Sequence, residues 1–208
     1  MLRKKFITIE GCEGAGKSGQ MKLLQAYCAE HGIDALFTRE PGGSRIAEEI
    51  RRLILSPENK EMTAECEMFL FAAARTQHLS EVIVPALQSG KIVFCDRFVD
   101  SSYAYQGFGR GLGLDYVKSV NKYAVKEYMP DITIFMDLPP EDAFKRKGGA
   151  DLKDRMEKCE NGFFEKIYEG YKEVAKRERH RYFVVKPTGT KHETHAIIVD
   201  YLKSRGVF

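Results

Sequence analysis

The run Gly11-Cys12-Glu13-Gly14-Ala15-Gly16-Lys17-Ser18 constrains this chain more than any other stretch. It fits G-x-x-x-x-G-K-[ST] and stands between an apolar, β-branched segment, Lys5–Glu10, and a segment with helical spacing, Lys17–Glu30. A strand that enters such a loop and a helix that leaves it bring backbone N–H groups together on one anion. Gly11, Gly14 and Gly16 permit the backbone angles this needs, and the positive end of the helix faces the same concavity. There Lys17 would reach the β- and γ-phosphates of a nucleotide, and the Ser18 hydroxyl would ligate Mg²⁺. Asp96, which ends the apolar run Ile92–Cys95, is the candidate carboxylate for the same magnesium shell.

The rest of the chain alternates strand-like and helix-like segments. Strands are expected at Asp34–Thr38, Lys91–Cys95, Ile132–Asp137 and Tyr182–Val185. Ser44 is placed to cap a helix through Leu55. Thr63 is placed to cap a long helix towards Gly90, kinked or broken at Pro85. Further helices are expected around Asp115–Lys126, from Pro139-Pro140 to Gly148-Gly149, at Asn161–Arg179 and at Glu193–Ser204. Five apolar strands separated by helices imply an α/β fold, a doubly wound five-stranded parallel sheet covered on both faces. With no repeats and no low-complexity linker, residues 1–208 are read as one domain. Gly107–Gly113 and Lys145–Arg155, rich in glycine and charge, are the expected mobile segments.

Composition narrows the class. The longest apolar run, Met68 to Ala74, has seven residues, against the roughly 20 a membrane span requires. The stretch Phe6–Ile9 is too short for a signal-peptide core. A cytoplasmic protein with no membrane partner is expected. The net charge of +3, from 33 basic and 30 acidic side chains, gives no footprint for nucleic acid. Five widely spaced cysteines without a Cys-x-x-Cys pair read as reduced, mostly buried thiols.

Among phosphate-loop proteins, a switch GTPase needs Asn-Lys-x-Asp, and the nearest run here, Asn121-Lys122-Tyr123-Ala124, lacks the Asp. A transporter ATPase needs Ser-Gly-Gly-Gln, which is absent. A small kinase remains, and its several phosphates call for arginines near the strand ends. Arg39, Arg51, Arg75, Arg97, Arg110, Arg146 and Arg155 are the candidates.

Several runs carry a resemblance over essentially the full length. They are Glu10-Gly11 through Ser18, Arg39-Glu40-Pro41-Gly42-Gly43-Ser44, Phe71-Ala72-Ala73-Ala74-Arg75, Asp96-Arg97-Phe98, Ser101-Ser102-Tyr103-Ala104-Tyr105-Gln106-Gly107, Pro130-Asp131 and Asp154-Arg155. By these the chain resembles the bacterial type of thymidylate kinase. The resemblance implies a P-loop NTPase fold with a mobile lid around 145–157. It implies transfer of the γ-phosphoryl group of ATP to dTMP, giving dTDP and ADP, with Mg²⁺ as cofactor. Gly11, Cys12, Glu13, Gly14, Ala15, Gly16, Lys17, Ser18 and Arg146 would bind ATP, and Ser18 and Asp96 would hold the metal. Glu13 would bond the 3′-hydroxyl of the acceptor, Phe71 would stack on thymine, and Arg75 would read its O4. Tyr105 would pack beneath the sugar and exclude a 2′-hydroxyl, and Gln106 would hold base or sugar. Arg39, Arg51 and Arg97 would hold the acceptor phosphate, with Ser101 in the same acceptor set. Lys17, Arg97, Arg155 and Glu13 would be catalytic, Arg155 coming from the lid with Arg146, and Lys147 or Lys153 as further lid cations. A homodimer through helix packing is also implied. Two other readings stay open on residues alone: a kinase for another deoxynucleoside monophosphate, and a switch ATPase acting through a protein partner.

Overall fold

A computed structural model describes residues 5–125, 127–147 and 162–208. Five parallel strands form one sheet: β1 (Phe6–Glu10), β2 (Ala35–Arg39), β3 (Ile92–Asp96), β4 (Ile132–Met136) and β5 (Tyr182–Val185), in the order β2-β3-β1-β4-β5. The doubly wound parallel sheet expected from the sequence is therefore present. The strands β1, β3 and β4 are apolar almost throughout because helices cover both faces.

Alternation along each strand divides the core in two. Phe6, Val93, Cys95 and Phe135 face one layer, and Ile7, Ile9, Phe94, Ile132 and Ile134 face the other. The first layer is closed by α3 (Ala64–His78), α6 (Leu114–Val125) and α8 (Phe163–Arg177). The second is closed by α1 (Lys17–Glu30) and α9 (Lys191–Ser204). Around these lie α2 (Arg45–Leu55), α4 (Val84–Gln88), α5 (Val99–Ser102) and α7 (Pro140–Lys147). No helix among the described residues is long and apolar enough to cross a membrane.

Helix ends follow local chemistry. Thr63 accepts from the Cys66 N–H as expected, and Thr190 with Glu193 closes a full capping box on α9. Ser44 sits at the N-cap of α2, but its hydroxyl makes no cap bond. The long helix from Thr63 is not broken at Pro85. It widens into a π turn at Leu79–Ile83, and this looser turn accommodates Pro85, which has no N–H to give the turn before it. A second wide turn, Tyr103–Gly109, continues α5 and takes in part of the stretch expected to be mobile. It is packed: a Cβ at Gly109 would lie 2.9 Å from Ile167 and Phe163 on α8. Cys12, Cys28 and Cys95 are buried free thiols, and Cys66 is exposed. Residues 148–157 of the expected lid, with Lys153 and Arg155, lie outside the described residues, as does Cys159.

Candidate active site

The sheet order places the ends of β2, β3 and β1 side by side, with Asp96 registered against Ile9 on one side and Arg39 on the other. The loop 11–16 rises from β1 at this edge, where ligands of open α/β sheets bind. Its side chains split between the two core layers, Cys12 into one and Ala15 into the other, so the loop offers a ligand mainly backbone. Gly14 has φ +79°, and a Cβ there would fall 2.5 Å from the Ala143 carbonyl oxygen. Gly11 is equally confined, its Cβ position lying 2.8 Å from the Met136 oxygen. Gly14 needs glycine because the loop passes tightly under α7, and Gly11 because it lies against the end of β4.

Lys17, the first residue of α1, is buried. Its Nζ donates to the Gly11 carbonyl (3.0 Å) and the Cys12 carbonyl (2.8 Å). Burial, with Arg97 acting in the same direction and Asp96 opposing, lowers it to about 8 from 10.5. Ser18 donates its hydroxyl to Asp96 Oδ2 at 3.2 Å. Asp96 Oδ1 is buried with no hydrogen-bond partner among the described residues. A hydroxyl oxygen beside a carboxylate with an unused oxygen is a donor set suited to a hard cation such as Mg²⁺.

In front of the loop opens a cleft of about 510 Å³. Glu13, Gly14, Gly16, Lys17 and Ser18 line one side of it; Arg39, Arg51, Phe71, Asp96, Arg97, Ser101, Tyr105 and Gln106 line the rest, and Arg146 is at its margin with Phe164. Most of the sequence-derived set thus meets in one cavity. Arg39 pairs with Glu48 at 2.9 Å, and Arg51 donates to the Pro41 carbonyl at 2.8 Å. Arg146 donates to the Pro187 carbonyl (2.7 Å) and also lines a second cavity at the ends of β4 and β5, with Asp137, Tyr168 and Lys186.

Arg75 departs from its expected place. It does not line the cleft but is 1 % exposed beneath it. Its Nε donates to Glu40 (2.8 Å), Nη1 to Ser102 and Asn121, and Nη2 to the Phe98 carbonyl. Four of its five N–H groups are committed to the protein, because a guanidinium taken out of water needs that many partners.

Four residues that sequence reasoning passed over organise this set. Glu40 bonds both Arg75 and His78. Glu67, fully buried, accepts from Gln106 (2.8 Å) and Arg110 (2.9 Å). Glu10 accepts from the Phe98 N–H (2.7 Å), Ser101 (2.6 Å) and Tyr171 (2.9 Å). Burial, reinforced by Asp100, raises Glu10 from 4.5 to about 7, with Ser101, Arg97 and Phe98 pulling the other way. A charged residue closing a mostly apolar strand was the available signal for Glu10; Tyr171, one aromatic among several on α8, offered none.

A family model described as Thymidylate kinase matches residues 9–198. The chain belongs to the thymidylate kinase family. It is 45 % identical over 202 residues to the thymidylate kinase of Finegoldia magna, covering 97 % of this chain and 99 % of that one. It is 47 % identical over 182 residues to the thymidylate kinase of Geobacillus thermodenitrificans, covering 86 % and 81 %. The crystal structure of thymidylate kinase from Ehrlichia chaffeensis superposes with a TM-score of 0.78 at 30 % identity, covering 97 % and 99 %. Membership of the thymidylate kinase family makes the chain a nucleoside monophosphate kinase, a phosphotransferase.

Proposed function

We propose that this chain transfers the γ-phosphoryl group of ATP to dTMP, producing dTDP and ADP with Mg²⁺. The observation that carries the reading is the single cleft shared by the phosphate loop and the aromatic wall of Phe71 and Tyr105.

On this reading the loop amides and Lys17 cradle the donor phosphates, and the ammonium exchanges two loop carbonyls for phosphate oxygens. Ser18 and Asp96 would hold Mg²⁺, which when bound neutralises charge on the donor phosphates. Arg39, Arg51 and Arg97 orient the acceptor phosphate, and Arg97 is the best fixed of them. Phe71 would offer a flat face for a pyrimidine ring, Gln106 would hold base or sugar, and Tyr105 would close the sugar side; all three line the cleft. Glu13 supplies the carboxylate for the 3′-hydroxyl. Arg75 acts from behind, holding Glu40 and Ser102 in the wall. Arg146 and the cations at 153 and 155 would contribute from the donor side. Exposed Leu53, Phe69 and Tyr123 on α2, α3 and α6 support a homodimer through those helices.

The test is ADP release measured with and without each deoxynucleoside monophosphate, with the nucleotide product identified. dTMP should give the highest kcat/KM, and Lys17→Ala should lower turnover by at least about 10²-fold. ATP hydrolysis that ignores dTMP, or preference for a purine acceptor, would overturn the reading.

A further inference from the structure

Arg97 stands at the end of β3 with φ +68°, a backbone conformation that side chains rarely adopt, so its position must be enforced by neighbours. Its Nη1 donates to two hydroxyl oxygens, Ser101 at 3.3 Å and Tyr171 at 3.2 Å. Those oxygens are 2.9 Å apart, and both lie within hydrogen-bond distance of one atom, Glu10 Oε2.

The hydrogens of this cluster can be assigned by counting. An ionised carboxylate only accepts, and each hydroxyl has one hydrogen to give. With both hydroxyl hydrogens directed at Glu10 Oε2, both oxygens turn lone pairs towards Arg97. The guanidinium then meets two polarised acceptors and no competing donor. Glu10 therefore acts on Arg97 through two hydroxyls without touching it, and charge-assisted bonds of this kind are the stronger ones.

Tyr171 is the long-range member, 74 residues from Arg97 and carried by α8. Its ring is held independently of its hydroxyl, stacked on Phe135 with centroids 5.3 Å apart and edge-on to Tyr105. Tyr105 in turn packs under the Arg97 guanidinium at 5.2 Å. We infer that Tyr171, with its hydroxyl polarised by Glu10, is a positioning residue that fixes Arg97 for the acceptor phosphate. This rests on the proposed role of Arg97 in acceptor binding.

The experiment is calorimetric titration of dTMP at pH 8 into the wild type, Tyr171→Phe, Arg97→Ala and the double variant, with steady-state kinetics on wild type and Tyr171→Phe. The phenylalanine keeps the stacked ring, so the fold is preserved. Tyr171→Phe should weaken dTMP binding about tenfold and raise KM for dTMP with KM for ATP unchanged. In the Arg97→Ala background the same change should have no further effect. Equal dTMP affinity in wild type and Tyr171→Phe would overturn this inference alone, as would an undiminished loss without Arg97. Absence of dTMP binding in the wild type would overturn the proposed function and this inference with it.

Discussion

A buried carboxylate held near neutrality carries a cost that can be measured. Glu10 is fully buried beside Asp100, and its proton is retained up to about pH 7 in the folded state against 4.5 ordinarily. Between those values the folded chain binds more protons than the unfolded chain, so stability falls as pH rises and the loss is complete above the folded value. Glu10→Gln removes the titration and retains an acceptor for the Phe98 N–H. Urea unfolding of both proteins at pH 5 and pH 8 should show the variant gaining on the wild type as pH rises; a constant difference would mean Glu10 does not titrate there. The same substitution disturbs the hydroxyls that face Arg97, so a gain in stability should come with weaker dTMP binding. At this scale the sequence displayed the groups that touch a ligand and hid the ones that hold them. Lys17, Ser18, Asp96 and Arg97 sit in short runs whose chemistry is local. Glu10, Glu67 and Tyr171 gain meaning only from partners 91, 39 and 74 residues away. Arg75 shows the opposite failure: an arginine one turn beyond Phe71 looked turned to the cleft, and the need to satisfy a buried guanidinium drew it inward.

Among the elements, strands and helices with continuous apolar patterns were readable almost to the residue, as Lys17–Glu30 and Tyr182–Val185 illustrate. The segment Val99–Gly109 was not. Its sequence, Val-Asp-Ser-Ser-Tyr-Ala-Tyr-Gln-Gly-Phe-Gly, carries two glycines and no apolar stripe at helical spacing, and its winding is set by the helix packed on it. That helix is α8, and the closeness has a test. A Cβ at Gly170 would lie 2.8 Å from the Cβ and ring atoms of Phe108. Phe108 cannot turn away by a rotamer change alone, because its own Cβ is one of the close atoms. Gly170→Ala should therefore destabilise the protein by about 1–3 kcal/mol through overpacking, despite alanine's better helix propensity. Chemical denaturation measures it. A stabilised variant would show that the two elements have room to part.

For the molecule as a whole, the C-terminal half supplies tension to a site built mostly by the first half. Apart from Arg146 and Phe164 at the cleft, the ligand-facing residues 13–18, 39–51, 71 and 96–106 come from the first 106 residues of the chain. They are fixed against β4 and the start of β5 by a buried polar chain. Thr8 on β1 meets Thr133 on β4 at 3.1 Å, and Thr133 donates to Asp100 at 3.1 Å. Arg181, just before β5, closes the chain with two bonds of 2.7 Å to Asp100. Asp100 is three residues beyond Arg97 and fully buried, so the edge of the sheet is fastened to the stretch that carries the acceptor-phosphate arginine. A buried pair of this kind adds little over a well-packed apolar pair, but it is costly to break from one side. Arg181→Met leaves the Asp100 charge uncompensated and should cost about 3–5 kcal/mol. Adding Asp100→Asn removes that charge and should recover part of the loss, giving a coupling of about 1–3 kcal/mol between the two positions. Urea unfolding of the two single variants and the double variant supplies the cycle. Additive losses would mean that the two side chains act separately, and that the far edge of the sheet is held to the site by apolar packing alone.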